Sequence, residues 1–207
     1  MSATDSATDA LPHDTLHEDA LAALETWRAP DADQEELRRR YVAHLRAHHD
    51  GLRRSCRPDH LTASTLVLSH DGARVLLTLH AKARRWFQFG GHCEAGDTSL
   101  AAAALREARE ESGVRDLELD PVPVHLDEHE VAFCRADPDA VPSGGDAGGL
   151  VHHLDVRFLA VAPAGAEHAV SEESLDVRWF PVDALPEAEL APLVRLARER
   201  RAAAPTP

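Results

Sequence analysis

One alanine-rich helix set between two groups of strands constrains this chain more than any other feature. Residues 99–112 carry Leu100, Ala101, Ala104, Leu105 and Ala108 along one side, and Gly113 follows as a helix-terminating glycine. A face of such small apolar residues packs closely on a sheet. Ahead of it, Leu61–Ser69 and Arg74–Leu79 flank Asp71-Gly72, a hairpin turn signal, and Trp86-Phe87-Gln88-Phe89 follows. Behind it come strand-like pieces near 116–120, 122–126 and 130–135, then 150–161 and 175–180, and a closing helix over 186–201. Strands on both sides of one central helix, with a helix at the end, predict an α+β fold built as a mixed α/β/α sandwich.

The N-terminal quarter has a different pattern. Residues 1–14 are polar and acidic without periodicity and read as a disordered tail. Leu21, Leu24 and Trp27 then recur at helical spacing after a Thr15–Glu18 capping box. A second helix is expected over 33–49, with Leu37, Tyr41 and Leu45 on one stripe and Asp50-Gly51 closing it. Residues 15–56 are therefore expected to be a helical extension, a hairpin attached to a main domain at 57–207. The hairpin is a candidate element for a homodimer. Arg38, Arg39 and Arg40 read as a solvated face, and 137–149 as a loop rich in Gly and Pro.

Charge narrows the partners. With 22 Lys+Arg against 36 Asp+Glu, the formal net charge is 22 − 36 = −14. Sequence-independent binding to a nucleic-acid polymer draws on cationic side chains, so the balance argues against it and against an anionic membrane surface. No apolar run reaches the ~18 residues that span a bilayer. The first residues lack the basic and apolar regions of a signal peptide, so a cytoplasmic location is the expectation. Cys56, Cys93 and Cys134 are odd in number and far apart, which gives neither a disulfide framework nor a zinc ribbon. They read as buried or half-buried thiols. Only Lys82 is lysine, so an anion-gripping residue here is expected to be arginine.

The chemistry concentrates in the central helix. Glu107, Glu110 and Glu111 stand at i, i+3 and i+4, on one face within one turn. Three carboxylates so placed repel one another, and unless they form a fully solvated acidic face, which three glutamates alone more often do, they need a counter-charge. Mg²⁺ or Mn²⁺, hard cations that take oxygen ligands, suit them. Gly90-Gly91 lets the backbone approach, and the Gly90 carbonyl is a further candidate ligand. His92 in the glycine loop, and His80 and Arg85 around the preceding turn, are candidates to meet the substrate; Arg84 stands beside them. His152 and His153 open a strand, one pointing in and one out, and no histidine set shows a recognisable metal spacing, His125 and His129 included. Trp86, Phe87 and Phe89 are suited to stacking a base, but aromatic residues on a strand are more often core.

The stretch Gly90–Val114 resembles the Nudix hydrolase family, whose box reads G-x5-E-x7-R-E-U-x-E-E-x-G-U with U a bulky apolar residue. Arg106-Glu107-Ala108-Arg109-Glu110-Glu111-Ser112-Gly113-Val114 fits the second half, with alanine at the first U. In the first half, Gly91-His92-Cys93-Glu94-Ala95-Gly96-Asp97 keeps the spacing but has aspartate for glutamate, and eight residues rather than seven separate Asp97 from Arg106. The extra residue is expected in the turn before the helix, where Asp97, Thr98 or Ser99 can serve as cap. The resemblance covers about residues 60–190 and implies a metal-dependent hydrolase of a nucleoside diphosphate linked to another moiety. It implies Glu107 and Glu111 as principal ligands of Mg²⁺ or Mn²⁺, with Glu110 and the Gly90 carbonyl completing the set. It also implies that Arg106 orients the acids with Asp97 as its partner. The general base would be a glutamate of the box or of a later loop, where Glu173 and Glu172 are the candidates. The alternative is a catalytically silent domain of this fold that senses a nucleotide or binds a partner.

Overall fold

The computed structural model describes residues 12–131, 151–171 and 174–203. Their elements are helices α1 (Pro12–Thr26) and α2 (Ala32–Ala47), strands β1 (Asp59–Leu68), β2 (Arg74–His80), β3 (Trp86–Phe87) and β4 (Phe89–His92), helix α3 (Leu100–Ser112), strands β5 (Glu118–Glu130), β6 (His152–Val161) and β7 (Ser174–Pro181), and helix α4 (Ala191–Ala203) behind a short 3₁₀ turn. The strands of the described residues form one mixed sheet in the order β3-β2-β1-β6-β5, with β4 also paired to β1 and β7 to β2. Among the described residues only the β1–β6 pair is parallel. This is the α+β sandwich that the pattern predicts.

Strand alternation sorts β1 between two cores. Leu61 and Ala63 face the layer of α1, α2 and α3, packed with Leu154, Val156 and Phe158 of β6. Leu66 and Leu68 face α4, with Leu193, Val194 and Ala197. Among the described residues no helix is long and apolar enough to cross a membrane.

Three expectations need correction. Helix α1 begins at Pro12, whose fixed φ suits a first turn, so Thr15 and Glu18 lie inside the helix rather than capping it. The pieces expected at 116–120 and 122–126 are one strand, β5. Its pairing shifts between Asp120 and His125, where Pro121 and Pro123 have no N–H to give the ladder. Arg38 is not a solvated residue like Arg39: its guanidinium donates to the Leu24 carbonyl (3.2 Å) and ties α2 to α1.

One buried amide ties the hairpin to the edge of the sheet. Gln34, buried on α2, donates from Nε2 to the Leu126 carbonyl (2.9 Å) and accepts from the Leu126 N–H at Oε1 (2.7 Å). A side chain thus continues the ladder at the outer edge of β5, where a further strand would otherwise pair. Gln34→Ala leaves both Leu126 groups buried without partners. At about 1–3 kcal/mol for each such group, the variant is expected to lose roughly 2–6 kcal/mol of unfolding free energy in urea titrations. A loss under about 0.5 kcal/mol would contradict this docking.

Candidate active site

Helix α3 is fixed at both ends. Ser99 is its cap and accepts from the Ala102 N–H (3.0 Å), while Gly113 takes a left-handed φ of 72° that a side chain would resist. Asp19 of α1 accepts from the Leu100 N–H (3.0 Å). Leu100, Ala103, Ala104 and Ala108 are buried against the sheet, and the Thr65 hydroxyl of β1 donates to the Ala104 carbonyl (3.0 Å). That register turns Glu107, Glu110 and Glu111 toward β4.

The two glycines of β4 have different tasks. Gly90 lies opposite Ser64 of β1, and a Cβ there would come within 2.3 Å of the Ser64 Cβ. A Cβ on Gly91 would lie 2.7 Å from Glu107 Oε1, so the absent side chain is the room that Glu107 occupies. The Gly90 N–H donates to Glu111 Oε2 (3.3 Å). Two of the three glutamates are therefore seated on the glycine pair.

Arg106 gathers the acids. Its Nε and Nη2 donate to the two oxygens of Asp97 (3.1 and 3.0 Å), Nη1 donates to Glu107 Oε1 (3.0 Å) and Glu110 Oε2 (3.2 Å), and Nη2 also donates to the His92 carbonyl (3.1 Å). Glu94 stands 3.7 Å away. Asp97, 6% exposed, is thus the partner of Arg106 despite its shorter side chain and the extra residue. Hydrogen bonding to Asp97, ahead of the surrounding negative charge, raises the Arg106 pKa further and keeps the group charged.

This donor set fits a hard dication. Four carboxylates within 4.0 Å share a single guanidinium, and Glu111 adds another from the next helical position. The surplus of negative oxygen donors is of the kind that Mg²⁺ or Mn²⁺ takes. Glu107 is 16% exposed at its side chain and Glu110 61%, so Glu107 is held inside the cluster while Glu110 reaches water.

Other candidates fall elsewhere. His80 Nδ1 accepts from the Lys82 and Ala83 N–H groups (both 3.2 Å) and shapes the β2–β3 turn. Arg85 pairs with Glu187 (2.7 Å) and Glu189 (3.0 Å). Phe89 is core, and Trp86 packs edge-on to Phe180 at 4.7 Å. Cys56 is buried and Cys93 half-buried, as expected, and burial pushes their thiols up to about 11 and about 12. Glu172, Glu173 and Cys134 lie outside the described residues. His92 gives its carbonyl to Arg106, but its side chain shares the Thr62 face of β1 and meets His60.

Sequence reasoning missed a buried polar network on that opposite face. Asp155 accepts from Thr62 (3.1 Å), Ser64 (2.7 Å), Gln88 (3.3 Å) and Arg157 Nε (2.9 Å), and Arg157 reaches Asp127 (2.7 Å). Burial, then the Arg157 charge, pushes the neighbouring His125 down to about 4. The available signal was the alternation His153, Asp155, Arg157 on β6, which places three polar side chains on one face of an otherwise apolar strand.

A family model for the NUDIX domain matches residues 58–199, more than half of the chain. The chain belongs to the Nudix family. Arg106, Glu107, Glu110 and Glu111 occupy the positions of the family's box. Among solved structures, it is similar to a binary complex of a C. elegans Ap4A hydrolase, with 16% identity over 69% of this chain and 97% of that one, and a TM-score of 0.50. A NUDIX-family hydrolase from Clostridium perfringens is 23% identical over 68% and 94% of the two chains, with a TM-score of 0.48. The NUDIX domain of Shewanella oneidensis NrtR complexed with ADP ribose is 20% identical over 72% and 92%, with a TM-score of 0.48. No curated protein matches the chain.

Proposed function

We propose that this Nudix protein hydrolyses the pyrophosphate bond of a small nucleoside diphosphate derivative with Mg²⁺ or Mn²⁺ held by Glu107, Glu110, Glu111 and the Gly90 carbonyl. The observation that carries the reading is the Arg106 cluster, in which four carboxylates converge on one cation beside two glycines that leave them room. Bound there, the ions would neutralise the pyrophosphate and lower the pKa of water. The chain's own residues do the rest. Asp97 fixes Arg106, and Arg106 sets Glu107 and Glu110 at fixed distances, so the acids are aimed before substrate arrives. Glu110, the most exposed of the three, is the box residue best placed to accept a proton from water, with Glu173 as the later-loop candidate.

The acidic balance of the chain favours a small anion over a polymer, because only a local, metal-bearing site attracts phosphate. The test is a panel of dNTPs, ADP-ribose, dinucleoside polyphosphates, coenzyme A and sugar nucleotides, with Mg²⁺, Mn²⁺ or neither. Release of a monophosphate from at least one compound, only with metal, is expected. No turnover across the panel would overturn the reading in favour of a silent nucleotide-sensing domain.

A further inference from the structure

We propose that His60, His92 and His153, which three adjacent strands bring together on the sheet face opposite α3, form a second metal site, for a borderline transition-metal dication of the Zn²⁺ type. Its remaining coordination position is open to water or to an anionic group. This site does not depend on the hydrolase reading.

Register builds the trio. On β1 and β6, His60 stands opposite His153, and on β4 His92 stands opposite Thr62, one step along the same face of β1. One ligand nitrogen from each histidine lies within 4.8 Å of the other two. Nitrogens about 2.0–2.1 Å from a tetrahedral ion stand about 3.3 Å apart. His60 Nε2 and His92 Nε2 are already 3.2 Å apart, and His153 brings a ring nitrogen within 4.8 Å of a nitrogen of each.

Tautomers agree with this geometry. His60 Nδ1 lies 3.2 Å from the Cys56 carbonyl, which only accepts, so Nδ1 carries the proton and the lone pair of Nε2 faces His92. A ring N–H held by a backbone carbonyl is the support that metal-bound imidazoles have. A hydrogen bond between His60 and His92 alone leaves His153 Nε2, which is buried and without a hydrogen-bond partner. One ion takes all three nitrogens.

Ligand chemistry separates this site from the glutamate face. Imidazoles favour Zn²⁺, Co²⁺, Ni²⁺ and Cu²⁺ and not Mg²⁺, whereas carboxylates favour Mg²⁺ and Mn²⁺. His92 is common to both places, with its ring in the trio and its carbonyl on Arg106.

The experiment uses the untagged full chain, stripped of metal and titrated with Zn²⁺ by calorimetry in excess Mg²⁺. One Zn²⁺ per chain is expected, with affinity lowered at least about a hundredfold in His92→Gln and in His153→Gln and kept in Glu107→Gln. Co²⁺ bound to the unmutated chain is expected to show the intense visible bands of a four- or five-coordinate ion, a readout that needs no variant to fold. Weak octahedral-type bands, unchanged affinity in both histidine variants, or no Zn²⁺ uptake would each overturn the proposal. So would loss of binding in His48→Gln instead, since His48, Asp50 and Cys56 also bring donor atoms within 4.8 Å.

Discussion

Glu107→Gln and Glu111→Gln are each expected to lower kcat for metal-dependent hydrolysis by at least about a thousandfold, or ~4 kcal/mol of transition-state stabilisation. Glutamine keeps the size of the side chain and removes its charge. At Glu107 the effect is twofold: Oε1 accepts from Arg106 Nη1 at 3.0 Å, so an amide nitrogen turned that way would set donor against donor. Turned the other way, it would aim the amide at the seat of the ion. At Glu111 the amide would stand against the Gly90 N–H, again donor to donor. Glu110→Gln touches the most exposed acid, and a loss of about a hundredfold with an altered acidic limb of the pH profile is expected if it is the base. The same substitutions relieve like-charge repulsion on α3. Without metal, the variants are therefore expected to melt at or above the temperature of the unmutated chain. Full activity in Glu111→Gln, or a metal-free melting point that falls by several degrees, would contradict this account of the site.

The box was legible because its chemistry and its helix share one run of sequence. Ser99, the alanine face and Gly113 mark the limits of α3, and Glu107, Glu110 and Glu111 follow from helical spacing alone. The irregular half of the box was legible only in outline. Ser99 serves as the cap, which frees Asp97 to accept from the Glu94 N–H (2.8 Å) and to hold Arg106. A cap at Ser99 leaves Asp97 and Thr98 in the turn before the helix, the stretch where the extra residue is expected. What sequence does not carry is pairing between distant strands. His60 and His153 belong to no motif, His92 fills only an unspecified position of the box, and only the β1–β6 and β1–β4 registers bring the three together. The Gln34 dock was invisible for a related reason: a side-chain amide that imitates a strand edge leaves no periodic trace.

Deletion of residues 1–47 is expected to yield a chain that is insoluble or molten rather than a smaller native domain, although the family match begins only at residue 58. Helices α1 and α2 and the link between them supply Leu16, Ala20, Leu24, Trp27, Tyr41, Val42 and Leu45 to the core shared with Leu61, Leu126, Leu154 and Phe158. Baring even three of those large partners costs about 1.5–3 kcal/mol each. The Leu126 N–H and carbonyl would also lose Gln34, the Asp127 carbonyl would lose the Tyr41 hydroxyl (2.8 Å), and the first turn of α3 would lose Asp19. The sum approaches the whole ~5–15 kcal/mol that stabilises a domain. The loss also falls on α3, which carries the glutamates, so the hairpin supports the site itself. Retained secondary structure with strong dye binding and no cooperative melt is the expected result of the deletion. A milder probe, Leu45→Ala, is expected to cost about 2–5 kcal/mol in urea titrations while the chain stays folded. A truncated chain that melts cooperatively within a few degrees of the full one would show that the hairpin is an appendage and not part of the fold.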